Sequence, residues 1–472
     1  MKMYVAGQWL DKAQTIEVRN SYDNSLIDTV PRADATDVER ALQSAERGAK
    51  AMARLTSFER WKILHAAAEK MAACVEELGT LISKEEGKIL AEGRAEALRA
   101  VDTMMESAEE AKRVHGETVA LDGAAHGRGK FGVTIRVPCG VVVAISPFNF
   151  PLNLVCHKVG PALAGGNAVV LKPATDTPLS ALRLTEILLE AGLPPEGLNT
   201  LTGSGGEIGD LLVADRRVRK ITFTGSRDVG ERICKTAGIK RVTMELGSNS
   251  PVVVMPDAEL DKVAAAVAAT GYANAGQVCI STQRVLTAGK VYGDFLDALR
   301  PKVAALKVGN QLDPAVHVGP MIREKEAIRV DEWVRDAVAS GARLVTGGRR
   351  QGALYEPTIV ADVKPEMRIS CDELFGPAVA VTPFNDIDEA IALANDTNYG
   401  LAAGIFTENL EWAWRFAREV QSGNLHINWG PQWRADRMPY GGLKESGFGK
   451  EGPAYAINEM TELKMVVFHL SS

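Results

Sequence analysis

Three short stretches of the chain hold residue types suited to acyl chemistry. Gly276-Gln-Val-Cys279-Ile-Ser sets a thiol three residues after a glycine. The chain can then turn sharply behind a helix ending near Ala275 and present the thiol and its own amide N–H at a cleft. The alternative is a small buried hydrophobe. Ile145-Ser-Pro147-Phe-Asn149-Phe-Pro151 locks one amide side chain between two prolines at the C-terminal end of a strand, where open α/β sheets bind ligands. Aimed at an oxygen that gains negative charge, such an amide contributes roughly 2.7 to 4 kcal/mol in acyl transfer; otherwise it caps a helix starting near Pro151. Met244-Glu245-Leu-Gly247 closes another strand with a carboxylate. That acid is a general base if desolvation raises its pKa, or else a salt-bridged strand-end group.

Glycines after strands raise the question of phosphate. Leu201-Thr-Gly203-Ser-Gly205-Gly206-Glu-Ile208-Gly209 narrowly misses the dinucleotide pattern GxGxxG, because Ile208 takes the third glycine's place. Thr224-Gly225-Ser226-Arg-Asp-Val-Gly230 follows the strand Lys220 to Phe223 and opens a helix. Its free amides and the Ser226 hydroxyl can receive a pyrophosphate oxygen, or form a tight turn without a ligand. Gly441-Gly442-Leu-Lys-Glu-Ser-Gly447-Phe448-Gly449-Lys fails the Walker pattern, since Phe448 stands where lysine is required, so no nucleotide triphosphatase is implied.

Alternating elements must carry these residues. β-rich runs at Val141, Ala168, Leu198, Lys220 and Arg241 alternate with helical stretches, which indicates crossover units and a parallel sheet covered on both faces. Thr177 as N-cap, Pro178 at the first helical position and Gly192 behind the run Leu179 to Ala191 punctuate one of the helices. A second α/β series begins at Pro251, with helices near Ala258 to Tyr272, Tyr292 to Leu306 and Arg323 to Ser340, and strands at Ala378 to Phe384 and Asn424 to Asn428. Ahead of both series, Ala35 to Arg54 and Phe58 to Ser83 read as scaffold helices. Lys130 to Val137 and Met460 to His469 fit neither series and suit an arm that pairs with another subunit's sheet.

Composition narrows the classes further. The 472 residues carry 54 Lys and Arg against 60 Asp and Glu, a net charge of -6, so a general attraction to nucleic acid or anionic lipid is not expected. Six cysteines without a CxxC pair or metal-ligand spacing exclude a disulfide scaffold and imply no metal site. The apolar stretch from Val141 to Val155 is broken by two prolines and two asparagines and is no membrane span; with no secretory signal at the start, a cytoplasmic location is the expectation.

Taken together, the motifs resemble the aldehyde dehydrogenase superfamily over nearly the whole chain. Those that carry the resemblance are Pro147-Phe-Asn149-Phe-Pro151, Leu171-Lys172-Pro173, Phe223-Thr-Gly225-Ser226, Glu245-Leu-Gly247, Gly276-Gln-Val-Cys279, Glu373-Leu-Phe375-Gly-Pro377 and Pro439-Tyr-Gly441-Gly442-Leu-Lys-Glu-Ser-Gly447. The resemblance implies an α/β fold with a Rossmann-like cofactor domain (1–119 and 138–247), an α/β catalytic domain (248–437) and a small β oligomerisation arm (120–137 and 456–472) that builds homodimers or homotetramers. It also implies that Cys279 attacks an aldehyde, that Asn149 and the Cys279 amide hold the oxyanion, and that Glu245 activates the water that hydrolyses the thioester. Glu373 then holds the nicotinamide ribose and Phe375 packs near its ring. Ser226, with Gly225 and Gly230 beside it, meets the pyrophosphate, Lys172 meets the adenosine ribose, and Pro147, Phe148 and Leu246 complete the cofactor site.

Two positions refine that expectation. Thr175 stands where NAD-preferring relatives carry a glutamate, which removes a repulsion of several kcal/mol, in order of magnitude, against a 2′-phosphate; NADP is expected to be preferred, with NAD possible. Ser248 replaces a common second glycine in Gly247-Ser248-Asn249. Among subfamilies, Asn153-Leu-Val-Cys-His157-Lys and Arg434-Ala-Asp-Arg-Met-Pro-Tyr look most like lactaldehyde dehydrogenases and relatives acting on small phosphono- or sulfo-aldehydes. His157 and Arg434 are the candidates for gripping a hydroxyl or anionic end; the alternatives are a helix residue bonded to backbone and a surface cation. Met105, Val278 and Ala273 stand where phosphonate- or succinate-type relatives place arginines, so a small 2-hydroxyaldehyde fits best. The rival functions are a CoA-acylating semialdehyde dehydrogenase, which usually lacks the base that Glu245 supplies, a non-catalytic nucleotide-binding relative, and a cysteine hydrolase.

Overall fold

Runs such as Val141–Ile145 and Val252 to Val254 are apolar at every position, the pattern of strands buried on both faces. The structure, a computed structural model, describes residues 1–470 and places these runs at the centres of two sheets. In the first, an eight-stranded sheet, five parallel strands run in the order Leu198–Thr200, Ala168–Lys172, Val141–Ile145, Val218–Thr224, Arg241–Glu245. The order reverses beside Val141–Ile145, and a crevice at the C-terminal ends of strands is expected at such a switch point. The second, seven-stranded sheet is parallel except for its edge strand Arg343–Thr346. Gly447–Phe448, from near the end of the chain, adds antiparallel to Arg241–Glu245, so the late glycine-rich segment forms an edge of the first sheet.

A third sheet pairs Lys130–Pro138 with Thr461–His469 along nine residues each, and Thr118–Val119 flanks it. This is the segment read as an arm; residues 471 and 472 of that reading lie outside the described residues. No described helix is long and apolar enough to cross a membrane.

The helical expectations hold for Ala35–Arg54, which ends where the periodicity does. The stretch Phe58 to Ser83 differs: it forms two helices, Ser57–Ala73 and Val75–Glu86, broken at Cys74. Thr177 does not cap the helix Leu179–Glu190, because its hydroxyl turns to the Phe148 carbonyl. The buried carboxylate of Glu85 takes that role from a distant helix, accepting from Leu179 N at 2.7 Å, from Ser180 N at 3.0 Å and from the Ser180 hydroxyl. Sequence-local rules miss it because the cap lies 94 residues away.

Glu85→Ala should therefore leave two buried helix N–H groups without acceptors and cost about 2 kcal/mol of local stability. Amide-exchange protection over Leu179–Glu190 reads it; wild-type protection there would refute the cap.

Candidate active site

Two cavities meet at Cys279. The larger, about 760 Å³, opens at the C-terminal ends of the first sheet's strands, and the smaller, about 360 Å³, lies on the other side of the thiol. Cys279 and Thr224 line both, whereas Asn149 lines only the larger and Glu245 only the smaller. The three residues singled out for acyl chemistry are thus brought to one junction.

The turn that presents Cys279 is strained. The helix Leu260–Tyr272 ends before Ala275, and Asn274, Ala275 and Gly276 follow in left-handed backbone at φ 50°, 52° and 70°. Such a conformation costs an alanine roughly 1 to 2 kcal/mol, so neighbours must impose it. Glu92 accepts from Asn274 N at 3.0 Å, and Glu86 accepts from the Asn274 amide at 2.9 Å. Gln277, buried behind them, accepts from Ile322 N at 2.9 Å. Glycine is required at 276 because a Cβ there would sit 2.1 Å from the Gly376 carbonyl oxygen.

The same acidic group holds Asn149. Lys88 donates to the Asn149 carbonyl at 2.6 Å and to Glu96 at 2.7 Å, while the other Glu96 oxygen accepts from Leu152 N and Asn153 N at 2.9 and 3.0 Å. Glu96 therefore caps the helix Asn153–Ala164, and Asn149 does not. Its Nδ2 donates to the Gln277 carbonyl at 2.9 Å, which fixes the amide plane and leaves a second N–H for an oxygen at the junction. Burial pushes Glu86 up to about 8 and also raises Glu92. By sequence, the helices that lead into this group read as scaffold. Its signal was visible nonetheless: Leu78 and Ile82 mark a buried helix face that Glu85 and Glu86 continue at helical spacing.

Around the smaller cavity two carboxylates differ sharply. Glu245, at the end of Arg241–Glu245, is buried with neither oxygen hydrogen-bonded among the described residues. Burial, then the nearby Glu451, raises its pKa well above the usual range, outweighing Arg434 and Lys158. Glu451 is equally buried but accepts from Lys158 at 3.0 Å and from Arg434 at 2.9 Å. Those two cations overcome burial and hold it ionised below the ordinary range.

Arg434 faces this cavity, as expected for a gripping residue, with its Nε buried and unpartnered among the described residues. His157, expected to grip the substrate as well, does not line it. Nor is it bonded to backbone: its Nδ1 accepts from Arg434 at 3.1 Å and its Nε2 donates to Asp436 at 2.9 Å, so the ring stands behind the arginine and orients it. Burial, then Arg434, lowers His157 to about 4, which keeps it neutral in that relay. Arg99, not singled out from sequence, closes the rim as a bidentate partner of Asp436 at 2.7 and 3.1 Å. Ala273 and Val278 line the cavity as apolar wall, while Met105 packs into the helical core behind it.

Nine of the expected cofactor residues line the larger cavity: Pro147, Phe148, Lys172, Thr175, Gly225, Ser226, Leu246, Glu373 and Phe375. Gly230 does not; a Cβ there would meet Leu246 at 2.5 Å, so its part is to let the helix Arg227–Ala237 pack against that leucine. Gly205, Gly206 and Gly209, from the near-miss motif, do line it, as does Arg232. Lys172 is buried with its ammonium on the Pro173 carbonyl at 3.1 Å, and burial lowers it to about 8. Thr175 donates to the Gly203 carbonyl at 3.2 Å. Glu373, raised to about 7 by burial, accepts from Ser248 N at 2.8 Å, and Phe375 meets Phe148 edge-on at 6.0 Å between ring centroids.

Comparison with known proteins agrees with this arrangement. Residues 9–466 match the model of the aldehyde dehydrogenase family. The chain is 47% identical over 468 residues to 3-sulfolactaldehyde dehydrogenase from Priestia aryabhattai, covering 99% of this chain and 98% of that one. It is 36% identical over 469 residues to lactaldehyde dehydrogenase from Methanococcus aeolicus, covering 98% and 99%. Among solved structures, aldehyde dehydrogenase 21 from Physcomitrella patens, in complex with the reaction product succinate, superposes with a TM-score of 0.96 at 38% identity, over 99% of this chain and 98% of that one. Glyceraldehyde-3-phosphate dehydrogenase from Methanocaldococcus jannaschii, complexed with NADP, does so at 0.94 and 35% identity, over 98% and 100%.

Gly276→Ala should displace the turn, lower stability by about 2 kcal/mol or more and reduce turnover about 100-fold, since small shifts at a reacting atom cost that much. Melting and steady-state rates on the purified variant check both, and wild-type values would show that the turn accepts a side chain.

Proposed function

The chain belongs to the aldehyde dehydrogenase family, and we propose that it oxidises short 2-hydroxyaldehydes, lactaldehyde and its monoanionic sulfonated counterpart, to their carboxylic acids. The observation that carries this reading is the smaller cavity. A volume of about 360 Å³ suits a short substrate, and the free Nε of Arg434 offers it one buried charged donor. Lys88, Arg99 and Arg434 are each already paired with a carboxylate, so a dianionic phosphonate would find no surplus charge to neutralise it. Similarity to the sulfolactaldehyde and lactaldehyde enzymes supports the same substrate class.

A nicotinamide dinucleotide fits the larger cavity. At Gly209 a Cβ would project into open space, the Ser146 hydroxyl is buried there without a partner, and Lys172 meets only a backbone carbonyl. Ser226 and the N–H groups of the following helix would take the pyrophosphate, Lys172 and Thr175 the adenosine ribose, Glu373 the nicotinamide ribose. With no carboxylate at 175, NADP is preferred over NAD. When bound, the dinucleotide supplies the hydride acceptor.

The chain's own residues do the rest. Cys279 sulfur attacks the aldehyde carbon, and the free N–H of Asn149 and the Cys279 amide stabilise the oxyanion of the thiohemiacetal. After oxidation leaves a thioester, Glu245 takes a proton from water, whose oxygen attacks the acyl carbon and releases the acid. Its buried position favours water over CoA as the acceptor. The base form of Glu245 exists only above its raised pKa, so the rate climbs as pH rises through that pKa and falls below it.

A rate screen over lactaldehyde, 3-sulfolactaldehyde, glyceraldehyde and succinic semialdehyde, each with NADP and with NAD, tests the reading. The 2-hydroxyaldehydes with NADP should give the highest kcat/KM, without CoA. Faster succinic semialdehyde oxidation would overturn the substrate class, and strict NAD selectivity the cofactor preference.

The domain built on the first sheet carries the cofactor, the domain built on the second carries the thiol, and the sheet of Lys130–Pro138 and Thr461–His469 joins copies of the chain. Leu463, Met465 and Val467, alternate residues on the edge strand Thr461–His469, are 56%, 44% and 39% exposed, an apolar face that a second copy would cover. Sedimentation of the protein should give a multiple of the 50.7 kDa chain, reduced by Leu463→Glu; a wild-type monomer would refute the arm's role.

A further inference from the structure

Tyr440 touches the reacting sulfur. Its hydroxyl lies 3.2 Å from Cys279 Sγ, and the side chain is buried, 3% exposed, on the wall of the smaller cavity. The residue is held in two ways. The Arg434 guanidinium lies over its ring at 4.0 Å from the centroid, and Arg434 is itself fixed by Glu451 at 2.9 Å and His157 at 3.1 Å. On the backbone, Tyr440 and Glu451 exchange both hydrogen bonds, at 3.2 and 2.7 Å. The bridge fixes the backbone of Tyr440, and swinging the ring away from the sulfur would break the Arg434 stack.

While Cys279 is a thiol, either atom can donate. Once it is a thiolate, only the phenol can. We propose that the Tyr440 hydroxyl is a catalytic hydrogen-bond donor to the Cys279 thiolate, both when the nucleophile forms and when sulfur leaves. This assignment rests on Cys279 being the nucleophile, as proposed above.

Protons and electrons balance without a further reagent. The thiol proton passes to the carboxylate form of Glu245, which faces the same cavity and releases that proton to solvent before it takes one from the hydrolytic water, and the phenol keeps its own proton while donating to the sulfur. The sulfur electron pair then forms the C–S bond. At hydrolysis the C–S bond breaks, the pair returns to sulfur, and the phenol again donates to it.

Electrostatics around the sulfur leave this role open to Tyr440. Burial pushes the thiol up to about 12; the Tyr440 hydrogen bond opposes that, Glu245 and Glu373 add to it, and Arg434 opposes it from behind the ring. Burial, with Cys279 and Glu245 beside it, also raises the phenol's own ionisation well above its usual range, so it stays protonated and able to donate. The cation over the ring draws density from the oxygen and strengthens the donor.

The test is the pH profile of iodoacetamide alkylation at Cys279, followed on the peptide by mass spectrometry in the cofactor-free protein. Tyr440→Phe keeps the ring under Arg434 and removes only the hydroxyl. Its midpoint should move up by about one pH unit, which slows alkylation roughly tenfold below the midpoint. Profiles that superimpose would overturn the proposal. Should that variant fail to fold, 3-fluorotyrosine in place of the chain's tyrosines makes the phenol a stronger donor of nearly unchanged shape. The midpoint should then fall, and an unmoved midpoint overturns the proposal equally. Cys279→Ser separates the two readings: aldehyde oxidation persisting in it would remove the nucleophile itself, whereas an unchanged Tyr440→Phe profile removes only the tyrosine.

Discussion

Everything at the junction of the two cavities depends on the left-handed turn Asn274 to Gly276 and on the buried carboxylates that impose it. An unsupported chain would relax from that backbone, because non-glycine residues there sit in a sparsely populated region. Glu86 and Glu92 stop it by accepting from Asn274, and Lys88 and Glu96 tie the Asn149 segment to the same group. The thiol and the amide that faces it come from different sheets, yet they rest on one support supplied by the helices Val75–Glu86 and Leu90–Ala111. Gathering three acids around one buried lysine is costly unless each is hydrogen-bonded. Here each carboxylate finds a donor, so strain and desolvation are offset locally.

Charge is distributed with the same economy on the other side of the thiol. Two buried glutamates face one cavity, and their surroundings drive them apart: Glu451 sits between Lys158 and Arg434, while Glu245 has no hydrogen bond among the described residues. One stays ionised as structure; the other is left with a pKa raised well above the ordinary carboxylate range. Arg434 links the two halves, since it pairs with Glu451, leans on His157 and covers Tyr440.

Much of this was legible in one dimension. All-apolar strand runs, the helix Ala35–Arg54, the glycine before Cys279, and the strand-end positions of Asn149 and Glu245 follow from local pattern, because burial, turn geometry and strand direction act over a few residues. Ordered motifs then carried the chain to its family. Illegible were the partners that act at a distance: Glu85 as the cap of Leu179–Glu190, Glu96 as the cap of Asn153–Ala164, and Tyr440 on the thiol, 161 residues away in the chain.

Sequence alone therefore determined the elements, the chemistry-bearing residue types and the turns able to present them. Tertiary structure decided which titratable groups face one another, and so which carboxylate is a base and which an ion-pair partner. It also moved His157 from the cavity wall to the support of Arg434, and Gly230 from the cofactor to the packing of Leu246. The reason is physical: backbone conformation is set by neighbours along the chain, whereas desolvation and Coulomb energy depend on separation in space, which only the folded chain defines.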